Sequence, residues 1–155
     1  MISCLRSLLP KFLRNFDSCS MGLVTQIEDL DKSSSDQRGD TVMTVQDVME
    51  LIGAKDRTPE TDKGREVSCG YTCDLLSWVM AHGAEGMAWV TVQTHMNVIA
   101  VASLMEMSAV IIPEGIEMEE PSVEKAKEEG ITVLESPLTA FEICARLSAA
   151  GLKGK

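Results

Sequence analysis

Aromatic residues make up only 4% of this 155-residue chain. A sequence so poor in rings fills its core with Val, Ile, Leu, Ala and Met, which suits a small α/β domain. No apolar run approaches the roughly 20 residues that a bilayer-spanning helix needs, so no membrane partner is expected. The nucleotide-hydrolysis signatures are missing too. There is no G-x-x-x-x-G-K-[ST], no G-x-G-x-x-G opening a helix after a strand, and no G-x-S-x-G elbow. Without a Lys and Mg²⁺ cradle for a triphosphate, kinase activity is not expected. Five cysteines, at 4, 19, 69, 73 and 144, are an odd number without framework spacing. They read as reduced thiols of an intracellular or organellar protein.

Acid dominates what is present. The formal net charge is −10, unevenly placed. Residues 1–20 carry Arg6, Lys11 and Arg14 against Asp17, net +2, and the remainder carries net −12. An acidic body repels polyphosphate backbones, so nucleic acid is not an expected partner. Residues 1–20 have the composition of an amphipathic organelle-import presequence, with a basic tail or a start at Met21 as the other readings. Leu13 to Phe16, "LRNF", resembles the Arg-Asn-Phe endings of hydrogenosomal presequences in anaerobic protists. The expected location is therefore the matrix of a mitochondrion-related organelle, hydrogenosome-like, and otherwise the cytoplasm. Residues 21–41 include the Ser/Asp-rich "DLDKSSSDQRGDT" and read as a disordered linker. The folded domain is expected over 42–152, with 153–155 as a tail.

Within that domain helical and strand patterns alternate. "TVQDVMELI" places Val45, Val48, Leu51 and Ile52 on one face, with Thr44 as N-cap and Gly53 as stop. "AKDRTPETDKG" reads as an exposed loop. "REVSC" is a strand candidate, Ser68 to Tyr71 the turn after it, and "CDLLSWVMAHG" a helix capped by Thr72 or Asp74. "GMAWVTVQ", "AVIIPEG" and "ITVLES" are strands. "NVIAVASLMEM", "PSVEKAKEEG" and "LTAFEICARLSAAG" are helices, the last with Thr139 near its cap. The alternation predicts an α/β fold, a single three-layer-like domain whose mostly parallel sheet is flanked by helices.

In such sheets ligands lie at the carboxyl ends of strands. The turns there offer Ser68, Gly70, Thr94, His95 and Asn97 as ligand-binding candidates, with Thr94 equally a simple N-cap. Cys69, Cys73, His82 and His95 are the set nearest to metal ligands. C-x₃-C misses the usual knuckle, so no metal is expected. A Cys69 or His95 catalytic role would need a Cys–His pair that nothing in the sequence demands. Met80, Met87, Met96, Met105 and Met107 read as core filler, Cys144 as core.

"GREVSCGYTCDLLSWVM", "MAWVTVQTHMNVIAVASLMEMSAVII" and "EEGITVLESPLTAFEICARL" together resemble the DRTGG domain family, in its small stand-alone form, over roughly residues 43–152. The family's Asp, Arg, Thr, Gly and Gly fall on Gly64, Arg65, Ser68, Cys69 and Gly70. The signature is therefore altered at Gly64, Ser68 and Cys69, and the literal "DRT" at Asp56 to Thr58 lies outside it. The resemblance implies a fold like the N-terminal domain of HPr kinase/phosphorylase. It also implies a regulatory part and not a catalytic one, with Arg65 joining the candidate residues. Stand-alone members are often encoded near hydrogenase or electron-transfer genes. The expectation is a homodimeric, non-catalytic regulatory or assembly module without a cofactor, with an unidentified protein partner. The other reading is a small-molecule sensor for a nucleotide or phosphorylated metabolite at the strand ends.

Overall fold

Thr44 opens the domain by closing a reciprocal cap: its hydroxyl accepts from Asp47 N–H, while the Asp47 carboxylate accepts from Thr44 N–H at 2.8 Å. Helix α1, Val45–Leu51, follows as its periodicity predicts. The computed structural model describes residues 42–155, so the presequence and linker expected over 1–41 lie outside the described residues. In chain order the other elements are β1 (Lys55–Asp56), β2 (Cys69–Thr72), α2 (Leu76–His82), β3 (Met87–Val90), α3 (Met96–Leu104), β4 (Ala109–Ile112), α4 (Glu120–Glu129), β5 (Thr132–Glu135) and α5 (Ala140–Ala149).

The sheet runs β1-β5-β4-β3-β2, with β2 to β5 parallel and β1 antiparallel to β5. Each parallel neighbour is also the next strand in sequence, so α2, α3 and α4 cross on the same side. The core shows it. Met87, Trp89, Val110, Ile112 and Val133 pack with Val79, Val98, Ile99 and Val123 of those helices. The alternate residues Ala88, Val90, Ala109, Ile111 and Leu134 pack on the other face with Val45, Val48, Ile143 and Leu147 of α1 and α5. All residues of β3, β4 and β5 are buried; β3 and β4 are unbroken apolar runs, while β5 also buries Thr132 and Glu135. Three layers result: α2–α4, sheet, and α1 with α5. α3 is core through Val98, Ile99, Val101 and Ala102.

Three expectations are corrected. The "AKDRTPETDKG" segment is not an exposed loop. It holds β1, and Thr58 is fully buried with its hydroxyl accepting Val133 N–H at 3.0 Å. The strand near Cys69 starts later than expected: Arg65 to Val67 runs beside residues 43–45, and β2 uses Cys69 to Thr72 in place of the turn expected over Ser68 to Tyr71 and the cap expected at Thr72. Gly70 misled there, because a glycine inside a strand reads as punctuation; here Leu152 packs 3.4 Å from where its Cβ would stand. Residues 153–155 are no loose tail either, since Lys153 C=O accepts Gly70 N–H and Lys155 N–H reaches Gly70 C=O, a parallel bridge on the outer edge of β2.

α5 begins with a second reciprocal cap, between Thr139 and Glu142. The Thr139 hydroxyl and then its backbone N–H hold Glu142 below its ordinary pKa of 4.5, and Thr44 does the same to Asp47. A lowered carboxylate pKa contributes stability that is complete above the unfolded value and lost as pH falls through the folded one. Thr139→Ala removes the N-cap hydroxyl and is expected to lower stability by about 1 kcal/mol at neutral pH, the usual cost of such a cap. It is also expected to flatten the acid limb below pH 4.5, as read from urea midpoints across pH. A variant with the wild-type midpoint at pH 7 would refute this cap.

Candidate functional site

The candidate residues lie at opposite ends of the sheet. Arg65 and Ser68 precede β2, at the amino ends of the strands, while Thr94, His95 and Asn97 follow β3 at the carboxyl ends. A four-residue strand separates the two groups by about 13 Å, so Ser68 does not share a pocket with His95. Gly70 lies inside β2.

At the amino end Arg65 Nη2 donates to Glu106 C=O at 2.6 Å, and Ser68 Oγ donates to Glu85 C=O at 2.8 Å. Gly86, at φ +73°, accepts Ser68 N–H and donates to Glu106 C=O; a Cβ there would meet Ser68 Oγ at 3.0 Å. A cavity of about 290 Å³ opens among Arg65, Glu66, Ser68, Glu85 and Gly86. Arg65 thus organises the join between the β2 approach and the end of α3, beside two glutamates that oppose an anion.

At the carboxyl end His95 occupies the N-cap position of α3, without a side-chain cap. Its Nδ1 lies 3.1 Å from Glu119, and Thr94 Oγ1 donates to the same carboxylate at 3.4 Å. Thr94 is therefore not the cap. Asn97 is exposed on the first turn.

The β2–α2 turn is held from β3. Trp89 Nε1 donates to Cys73 C=O at 2.8 Å. Asp74 Oδ1 accepts Thr91 Oγ1 at 2.7 Å and Val92 N–H at 3.0 Å. Asp74 is thus a strap between strand exits and not a helix cap; the N-cap position belongs to Leu75, whose side chain makes no cap bond. Beyond this fixed turn α2 is poorly covered. Only Val79 of α2 is fully buried, while Leu75 is 61%, Trp78 53% and Met80 49% exposed. Met80 and Met96 are therefore surface residues and not core filler, whereas Met87 and Met107 are fully buried. His82 stacks on Trp78 with ring centroids 4.3 Å apart.

Burial spacing alone could not expose this face, but charge could have. Residues 68–84 contain one formal charge, Asp74, in a chain that is 25% charged.

The chemistry of the thiols is quiet. Cys69 accepts from Ser68 Oγ at 3.8 Å, Cys73 faces Leu75 C=O at 3.9 Å, and Cys144, half-buried and not core, meets Thr72 Oγ1 at 3.0 Å. Among the described residues no cysteine–histidine hydrogen bond is formed. No group of three His, Cys, Asp or Glu there could hold a metal ion.

No protein-family model matches the chain, and no curated protein matches it in sequence. Among solved structures the fold is similar to the CBS and DRTGG domains of the regulatory region of Clostridium perfringens pyrophosphatase, complexed with its activator diadenosine tetraphosphate. The TM-score is 0.58 at 14% identity, over 78% of this chain and 55% of that one. The likeness is one of fold, and this chain matches about half the length of that one.

Proposed function

We propose that residues 42–155 act as a non-catalytic regulatory or assembly module that works as a homodimer, with α2 as the joining face. The observation that carries this reading is the exposed apolar surface of Leu75 and Trp78, three residues apart at the start of α2, on a domain with eighteen acids against nine bases. Two copies of an acidic body repel, so they meet best where charge is absent. A twofold contact brings the same patch from both copies together and needs no second kind of surface. Joining through β2 instead is opposed by residues 153–155, which already take the hydrogen bonds of Gly70 on that edge. The regulatory half of the reading is supported by the fold, which also occurs in the regulatory region of a pyrophosphatase.

The nucleotide-sensor alternative at Thr94, His95 and Asn97 is supported by the open first turn of α3. It is opposed by Glu119, whose carboxylate already faces both His95 and Thr94.

Native mass spectrometry of the full chain at micromolar concentration is expected to show a dimer. Trp78→Glu is expected to weaken it at least about thirtyfold, because a central exposed tryptophan is a typical hot spot and each twofold dimer receives the charge twice. A wild-type monomer under these conditions would overturn the assembly reading.

A further inference from the structure

Two helices, α1 and α5, cover one face of a five-stranded sheet whose other face carries three. The shorter cover runs out over β2, where Gly70 presents no side chain to the α5 side. The result is a cavity of about 340 Å³. Val90, Leu147 and Leu152 form its apolar lining, Thr72, Cys144 and Ser148 its uncharged polar groups, and the 153–155 segment its outer wall.

The charge of that wall is unusual for this domain. Both Lys153 and Lys155 line the cavity, and no acidic residue does, although acids outnumber bases two to one over residues 42–155. Lys155 Nζ makes one long bond, 3.4 Å, to Gly83 C=O. Among the described residues the Lys153 ammonium and the Ser148 hydroxyl have no hydrogen-bond partner. Thr72 Oγ1 and Cys144 Sγ, 3.0 Å apart, occupy each other, which leaves the exposed Lys153 ammonium and Ser148 hydroxyl as free donors and Lys155 held only by its long bond.

We propose that this cavity binds a compact amphiphilic anion: one ring or a short branched apolar body carrying a single carboxylate or phosphate. The apolar lining takes the body, with burial worth about 25 cal/mol per Å². The lysines take the anion through charge-assisted hydrogen bonds. The volume sits at the lower end of ligand cavities, about 300–1,000 Å³, so one ring fits where a dinucleoside polyphosphate does not. The site gives the regulatory module its signal and rests on that reading only for this purpose, because binding is measured apart from assembly; its wall reaches the end of α2 through Lys155 and Gly83 C=O.

Phenyl phosphate is the probe, titrated into the ¹⁵N-labelled full chain and followed by amide chemical shifts. Phenol and inorganic phosphate, the two halves of the probe, are titrated in parallel. Saturable shifts at Gly70, Thr72, Ser148 and Gly154 are expected, with weaker response to either half. The double variant Lys153→Gln/Lys155→Gln is expected to raise Kd about tenfold through loss of the charge-assisted bonds. Ser148→Phe, which fills the cavity and leaves the lysines in place, is expected to abolish the shifts while circular dichroism stays unchanged. The proposal is overturned by any of three results: no saturable shift, shifts centred on Arg65 or His95, or inorganic phosphate binding as tightly as phenyl phosphate. Native mass spectrometry of the same samples reports the dimer separately, so either idea can fail without the other.

Discussion

Replacing Arg57 by alanine is expected to destabilise the domain by about 3–5 kcal/mol, as breaking one partner of a buried ion pair does. Arg57 follows β1 and reaches back across the sheet end. Its Nη1 donates to Glu135 Oε1 at 2.5 Å and its Nη2 to Glu120 Oε2 at 2.8 Å. The Glu135 side chain is 7% exposed and sits at the carboxyl end of β5, where Met118 N–H gives the same oxygen a second bond at 2.8 Å. Without the guanidinium a carboxylate stays buried with one backbone donor, and desolvation dominates. Glu120→Ala is the internal control. That carboxylate is 67% exposed, so its loss is expected to cost no more than about 1 kcal/mol. Urea unfolding of the two variants reads both effects. Equal midpoint shifts would mean that Glu135 is not buried as described.

Truncating Trp89 has the other large effect. The ring is fully buried between the sheet and the α2–α4 layer, and Trp89→Ala is expected to cost about 3–5 kcal/mol from lost transfer energy and the cavity left behind. Trp89→Phe separates packing from tethering. It keeps most of the apolar volume and loses the bond from Nε1 to Cys73 C=O, for about 1–2 kcal/mol. The loss should also be local. Amide exchange is expected to quicken at Trp78 and Val79, which donate to Leu75 C=O past the released turn, while β4 and β5 keep their protection. Uniform loss across the sheet would refute the idea that Trp89 anchors the turn that presents α2.

Much of this fold is legible in the chain. α1 and α5 carry Thr caps with an acid three residues on, and α4 ends at Gly130 in the left-handed region, the signals that mark helix ends. β3 and β4 are runs of buried apolar residues, and such runs have little else to be; β5 is announced by Val133 and Leu134 after Ile131. β1 and β2 are not legible for definite reasons. Lys55–Asp56 has no apolar residue to announce a strand; it pairs because Arg57 and Thr58 lock onto β5. Gly70 looks like a turn and is a strand residue backed by Leu152. That shift of a few residues explains the split among the candidate residues. Read as a turn after a strand, Ser68 belongs with His95; as a residue before a strand, it belongs to the opposite edge. The exposure of α2 is likewise topological. Apolar residues at helical spacing predict burial, but β2 is the last strand of the order, so no further helix flanks α2 on its outer side.

The strand order also bears on how the chain is completed during synthesis. The β2-α2-β3-α3-β4-α4-β5 run is built from neighbours in sequence, which close quickly. The sheet's two borders are finished from afar: Lys55 waits for Glu135, and Gly70 waits for Gly154. At about 5–20 residues per second the ribosome leaves each border open for several seconds. During that interval the N–H and C=O of Gly70 stand open on the edge of β2, the kind of unpaired backbone that invites pairing with another chain.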